Sequence, residues 1–327
     1  MKSFLGVILK IGVSVFILYF LFRSMDLRAF WTTMVSVQPL AVVFVAALFA
    51  ASQTISSYRW SVILKKDIEV PYRKVLSIYF IGMFFNNFLP TMVGGDVVKA
   101  YYLYKHTRKG HIALASIFLD RYAGFFALMS ITVIALAFGG YSLIKGTGLP
   151  GLFVLLLGGF YGASLVIWVG PLHSWAMKIM AKIHFYGINH KIDTFYKVLM
   201  GYKKHYDILL TIFICSLLVQ GGTIISFYVL GRGLGIDVPV GYYFLFIPLT
   251  TTVSMLPISL AGLGLREGAF VYLFTRVGVA QEQALTLSLM WFVTSVLVSM
   301  IGGVEYVRMG GKKEVVGEGT PPDLKMD

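Results

Sequence analysis

The sequence predicts an all-α polytopic membrane protein with about six transmembrane helices and two re-entrant helical hairpins in an inverted repeat. Three observations predict it. The first is composition: 327 residues, 57% hydrophobic, 15% aromatic and only 13% charged, with mean hydropathy +0.79. Soluble domains carry about a quarter charged residues. The second is a pair of similar apolar breaks, Leu89-Pro90-Thr91-Met92-Val93-Gly94-Gly95-Asp96-Val97-Val98-Lys99 and Leu256-Pro257-Ile258-Ser259-Leu260-Ala261-Gly262-Leu263-Gly264-Leu265-Arg266-Glu267. Aligned on Leu-Pro, Gly95 falls on Gly262 and Lys99 on Arg266. Broken helices in matching places of two halves point to a transporter's substrate site. The third is the placement of charge between the spans.

The predicted spans are Leu5–Phe22, Pro39–Trp60, Ala113–Phe138, Leu152–Gly170, Ile208–Leu230 and Leu285–Val307, each apolar and long enough to cross the hydrocarbon core. Met1-Lys2-Ser3-Phe4 leads into the first, and Arg23 follows in place of a small-residue cleavage site, so it reads as a retained helix. Val75–Leu89 with Val97–Tyr104, and Tyr242–Leu256 with Leu265–Phe274, are shorter pairs. The longer arm of the first is about fifteen residues, or roughly 22 Å as a helix, too short to cross comfortably. Pro90 and Pro257 stop one arm of each hairpin, and Gly94, Gly95, Gly262 and Gly264 permit the reversal.

Basic clusters at Lys65-Lys66 with Arg73-Lys74, Lys105 to Lys109, Lys178 to Lys204, and Arg308 to Lys313 all land on one side when the first hairpin returns to the cytoplasm and the second is entered from outside. Both termini are then cytoplasmic. Arg23 and Arg28 in the first loop run against this arrangement. The chain reads as one integral-membrane domain, 1–311, with halves of about 1–140 and 150–308. Residues 171–206 carry Trp175, Ile179, Ile183 and Tyr186 at helical spacing among lysines, the pattern of a cytoplasmic amphipathic helix broken at Gly187-Ile188-Asn189. Residues 312–327 read as a disordered tail.

The net charge of +13 sits in loops, so it is assigned to topology and anionic headgroups, not to nucleic acid. Cys215, the single cysteine, excludes an internal disulfide framework. No Walker sequence, dinucleotide fingerprint or metal spacing appears, and no cofactor, metal or catalytic residue is assigned.

Ionisable residues within spans mark candidate sites. Asp120-Arg121 falls near the midplane, with Asp120 on one helix face with Ser116 and Gly124. Adjacent residues diverge on a helix, so they are not expected to pair simply with each other. Two readings stand: each pairs with a hairpin charge to hold the fold, or Arg121 meets an anionic substrate while Asp120 holds it in place. Asp96 is placed to cap the second arm of the first hairpin. Lys99 and Arg266 sit at helix starts, where the dipole disfavours cations, and so read as phosphate contacts; Glu267 fits the dipole. Asn86, Asn87, Thr250 to Thr252 and Ser254 put hydrogen-bonding groups beside the breaks. Arg59-Trp60, ending the second span, reads as an interfacial anchor, with Arg59 also a candidate headgroup contact.

Tyr58-Arg59-Trp60, Phe85-Asn86-Asn87-Phe88-Leu89-Pro90, Gly94-Gly95-Asp96-Val97-Val98-Lys99, Ser116 with Asp120-Arg121, and Pro257 through Glu267 together resemble the lysylphosphatidylglycerol synthase transmembrane family. The resemblance covers roughly residues 5 to 307 and implies a free-standing, flippase-like domain without the aminoacyl-transferase domain. It implies a prokaryotic cytoplasmic membrane, but its substrate is not carried over. The cations Lys99, Arg121 and Arg266, facing one headgroup phosphate between two inverted hairpins, point to an anionic, phosphate-bearing lipid, phospholipid or polyprenyl-phosphate-linked, moved between leaflets by alternating access. A membrane enzyme acting on a lipid headgroup, with Asp96, Asp120 or Glu267 as base, is the competing class. A scaffold that joins envelope-pathway enzymes or a second copy of the chain is a third.

Overall fold

The computed structural model describes residues 2–23, 25–89, 94–175, 188–256, 258–259 and 262–310. Every regular element among them is helical. Pro90 and Pro257 lie outside the described residues, as do Ile179, Ile183 and Tyr186 of the anticipated amphipathic helix and the tail after Gly310.

The helices are α1 (Lys2–Arg23), α2 (Leu27–Val35), α3 (Pro39–Leu64), α4 (Tyr72–Phe88), α5 (Gly94–Thr107), α6 (Gly110–Ala135), α7 (Tyr141–Ile144), α8 (Leu149–Trp168), α9 (Ile188–Gly201), α10 (Tyr206–Gly233), α11 (Val240–Ser254), α12 (Leu265–Thr275) and α13 (Gln281–Arg308). Five stretches are long and apolar enough to span a membrane: α3, α6 continued through α7, α8, α10 and α13. Together with the 22-residue α1, this is a polytopic all-α membrane protein.

Local chemistry sets the boundaries. Pro39 opens α3, where its missing N–H costs nothing. Asp26 Oδ1 accepts from the Arg28 and Ala29 amides and starts α2, an element absent from the sequence reading. The α6 helix is interrupted at Phe138 and Gly139, the latter at φ +100°, before the short α7.

Packing is organised around two antiparallel helix pairs. In the first, α4 lies on α5. The Asn86 side-chain oxygen accepts from the Gly95 amide at 2.8 Å, and Gly82 faces Lys99 one turn on. A Cβ on Gly95 would overlap the Gly82 carbonyl, so these two glycines set how closely the helices approach. In the second pair, α11 lies on α12, with Tyr243 and Phe246 against Phe274 at ring distances of 5.2 and 5.3 Å. The helix α3 packs along α10, and α13 packs along α4 through Gly302 on the Phe80 backbone. The largest buried cluster, with Tyr243, Phe246, Phe270 and Phe274, draws mostly on the C-terminal half and takes in Val45 and Ile131 from the first; Trp60, Leu64, Val75, Ile81 and Leu103 centre a second.

Candidate functional site

Among the described residues, three buried ionic groups hold the polar interior, and two of them meet. On α3, Arg59 is 5% exposed and lies five residues before the helix ends. Its Nε donates to Asp120 Oδ1 at 2.8 Å and its Nη1 to Ser216 Oγ at 2.9 Å. Arg59 is therefore no interfacial anchor: it is neutralised in the interior. Gly124, one turn beyond Asp120, leaves the guanidinium room, since a Cβ there would stand 3.4 Å from Nη1. The neighbouring Trp60 donates from its indole nitrogen to Ser116 Oγ at 3.2 Å. The face shared by Ser116, Asp120 and Gly124 is thus the face α6 turns toward α3.

The second group is Asp96. It sits in the first turn of α5 and is not the cap; Asn86 satisfies the Gly95 amide instead. Asp96 Oδ1 lies 2.8 Å from Lys99 Nζ, and Oδ2 accepts from Arg121 Nε at 2.8 Å. Arg121 thus pairs with a hairpin charge, Asp96, which is one of the two expectations; Asp120 does not hold it. Lys99, 3% exposed, also stands over the rings of Tyr79 and Trp60 at 4.7 and 5.5 Å. Apolar and aromatic packing around an ammonium makes it a strong anion attractor once its partner is shared. The Arg121 side chain is 46% exposed, and among the described residues only its Nε has a partner. The residue lines the cavity described next.

These two groups wall a cavity of about 240 Å³ at the junction of α3, α4, α5, α6, α10 and α11. Arg59, Lys99 and Arg121 line it with Asp120. Asn86, Gln53, Ser56, Gln220 and Thr251 add neutral hydrogen-bonding groups. Gln53 and Gln220 escaped the sequence reading, although amides inside apolar spans are themselves a signal. Asn87, Thr250, Thr252 and Ser254 are not among its lining residues, whereas Thr251 is.

The third ionic group stands apart. Glu267, fully buried, accepts from the Gly264 amide at 2.8 Å and from Arg266 Nε at 2.9 Å; the latter nitrogen also donates to Ser288 Oγ at 3.2 Å. The Arg266 guanidinium lies 5.0 Å from the Phe292 ring centre. Gly264, at φ +84°, packs on Ser14 and Ile17 of α1. Neither Arg266 nor Glu267 lines the cavity, so the expected meeting of Arg266 with Lys99 and Arg121 is not found. Of the anticipated break residues, Gly94 and Gly95 begin α5, and Gly262 and Gly264, both at positive φ, precede α12.

Residues 7–303 match the family model described as the lysylphosphatidylglycerol synthase TM region. The chain belongs to this family. It is similar to two proteins named UPF0104 membrane protein from Methanothermobacter thermautotrophicus. One is 26% identical over 279 residues, covering 76% of this chain and 78% of that protein. The other is 23% identical over 266 residues, covering 74% and 77%. No solved structure matches the chain.

Proposed function

We propose that this chain is a lipid translocase that binds the phosphate of an anionic lipid in the cavity beside Arg121 and passes it between leaflets. The carrying observation is charge. Among the described residues, three cations, Arg59, Lys99 and Arg121, line the cavity and share two carboxylates, Asp120 on its wall and Asp96 beside it. An uncompensated charge in a membrane interior is expensive, and an anionic ligand supplies what is missing. Arg121 offers its outer guanidinium edge, the shape that grips phosphate oxygens in pairs. The neutral amides and hydroxyls opposite suit the rest of a headgroup. Membership of a lipid-related family supports the same reading.

Transport fits better than catalysis. Asp96 and Asp120 each serve as the counter-ion of a guanidinium, so both carboxylates are already committed to a cation. The packing supports an inverted repeat with α3, α4, α5 and α6 matching α10, α11, α12 and α13. Contacts of α3 with α6, α3 with α13 and α4 with α13 have counterparts in α10 with α13, α10 with α6 and α11 with α6. The cavity lies where the two sets meet, as alternating access requires. On this reading the two antiparallel pairs are re-entrant hairpins, the membrane is the prokaryotic cytoplasmic membrane, and both termini face the cytoplasm.

The test is to identify the phosphate-bearing lipid that purifies with the protein by mass spectrometry and reconstitute both in vesicles. Transbilayer movement should exceed that of protein-free vesicles and fall at least tenfold in a folded Arg121→Ala variant, with Arg121→Lys recovering part. Movement at the protein-free rate, or full movement by Arg121→Ala, overturns the proposal.

A further inference from the structure

Arg121 borders two spaces. Beside the polar cavity runs a second one of about 370 Å³, whose only charged lining residues are Asp96 and Arg121 and whose other walls are Val97, Leu114, Ile117, Phe118 and Met255. Arg121 and Met255 line both. The groove runs between α5 and α6 and opens outward: Val97 is 64% and Met255 46% exposed. A cavity for a free inorganic anion has no use for such an apolar annex, because hydrocarbon walls offer nothing to a hydrated ion.

We propose that this groove is the lateral port of the cavity, holding the hydrocarbon chain of the lipid whose phosphate sits at Arg121. The inference rests on the anion-site reading above and specifies its ligand further, as an amphiphile with its chain leaving between α5 and α6. Polar and apolar ends are then matched along one continuous path: cations at the inner end, Arg121 at the bend, and Val97, Leu114 and Phe118 toward the bilayer. A headgroup crossing the membrane keeps its chain in lipid throughout, so the cavity must be open sideways as well as to one face. Val97 is the residue best placed to close the port, since its side chain points outward from a helix whose inner face carries Asp96 and Lys99.

The experiment uses decyl phosphate carrying a photoreactive diazirine at its chain end, cross-linked to the full-length protein in detergent and mapped by peptide mass spectrometry. Labelling within residues 97–118 should exceed by about tenfold that at Leu155, an equally lipid-facing position on α8. It should drop to the Leu155 level in Arg121→Ala, where the chain has lost its anchor, and in Val97→Trp, where the groove is filled. The Val97→Trp variant should keep its thermal stability and its cavity, and should lose lipid movement in vesicles by at least tenfold. Groove labelling equal to that at Leu155, or unchanged by Arg121→Ala, overturns the port. So does full lipid movement by Val97→Trp. If these occur while Arg121→Ala still abolishes movement, the port fails and the anion site stands. If Arg121→Ala moves lipid normally, the anion site fails.

Discussion

Asp120→Asn isolates the charge at the best-buried ion pair of the molecule. The side chains of Arg59 and Asp120 are 5% and 2% exposed, so solvent screening does little for either. Asparagine keeps the shape and can still accept from Arg59 Nε; what it removes is the counter-charge at 2.8 Å. Breaking a buried pair by removing one partner costs about 3–5 kcal/mol. Here the bond from Arg59 Nη1 to Ser216 Oγ survives, which places the cost at the lower end. At about 2–3 °C per kcal/mol for a chain of this size, a loss of roughly 3 kcal/mol lowers the melting temperature by about 6–9 °C. The assay is thermal unfolding in detergent, followed by intrinsic tryptophan fluorescence. An Arg59→Met, Asp120→Leu double variant should recover most of the loss, because apolar residues of similar size replace a buried pair at little cost. The two single changes are therefore expected to be strongly non-additive. A melting temperature within 1 °C of wild type for Asp120→Asn, or additive single effects, would refute the argument that this pair carries its charge uncompensated by water.

Other outcomes follow from the same geometry. Gly95→Ala should sharply reduce the yield of folded protein, because its Cβ would overlap the Gly82 carbonyl, whereas Gly158→Ala on α8, with open space around it, should fold normally. Tyr202→Phe should cost about 1–2 kcal/mol by removing the hydroxyl whose single proton is shared between two acceptors 3.1 Å away, the Ile63 carbonyl oxygen and Asp67 Oδ2. Burial, with Asp67 close by, pushes the Tyr202 phenol well above its usual range. The neutral phenol's stabilisation is thus complete below about pH 10 and is lost as pH rises beyond it, a decline that thermal scans should show in wild type and not in the phenylalanine variant. Arg266→Ala should lower thermal stability by more than Arg121→Ala while leaving lipid cross-linking in the groove intact; loss of cross-linking with unchanged stability would place Arg266 at the ligand. In a Cys215→Ser background, Lys109→Cys should be labelled from the cytoplasmic side only, and outside-only labelling would end the inverted-hairpin reading.

The spans were readable because hydrocarbon imposes one length scale. The expected Ile208–Leu230 and Leu285–Val307 are the apolar cores of α10 and α13, and the expected end at Phe138 is where α6 breaks. The short helix pairs were readable from Pro and Gly at the breaks. The helix α2 was missed because nine residues between two spans carry little periodicity, although Asp26 before Leu27 is a cap signal in hindsight. The identities of the buried ionisable residues were legible; their partners were not. Arg59 and Asp120 are 61 residues apart in the chain, and Arg121 and Asp96 are 25 apart. Helix neighbours point in different directions, which argued against a mutual Asp120–Arg121 pair, but which helix each would meet instead was not in the sequence.

Equivalence between the halves misled for a related reason. Aligning the breaks puts Lys99 on Arg266, yet the residues around them differ in one decisive way. Lys99 finds its carboxylate at Asp96, one turn back, and Asp96 is shared with Arg121, so two cations compete for one anion. Arg266 finds its carboxylate at the next residue, Glu267, which also accepts from Gly264 and fixes the turn into α12. The first arrangement leaves positive charge over; the second closes on itself. On the proposed reading the two helix pairs do different work: one presents charge to a ligand, the other stiffens its own bend against α1 and α13. In the proposed alternating-access cycle that division is useful, because the headgroup would stay with one half while the other moves past it. An extra anion site at Arg266 would hold the lipid to both halves at once and slow its release.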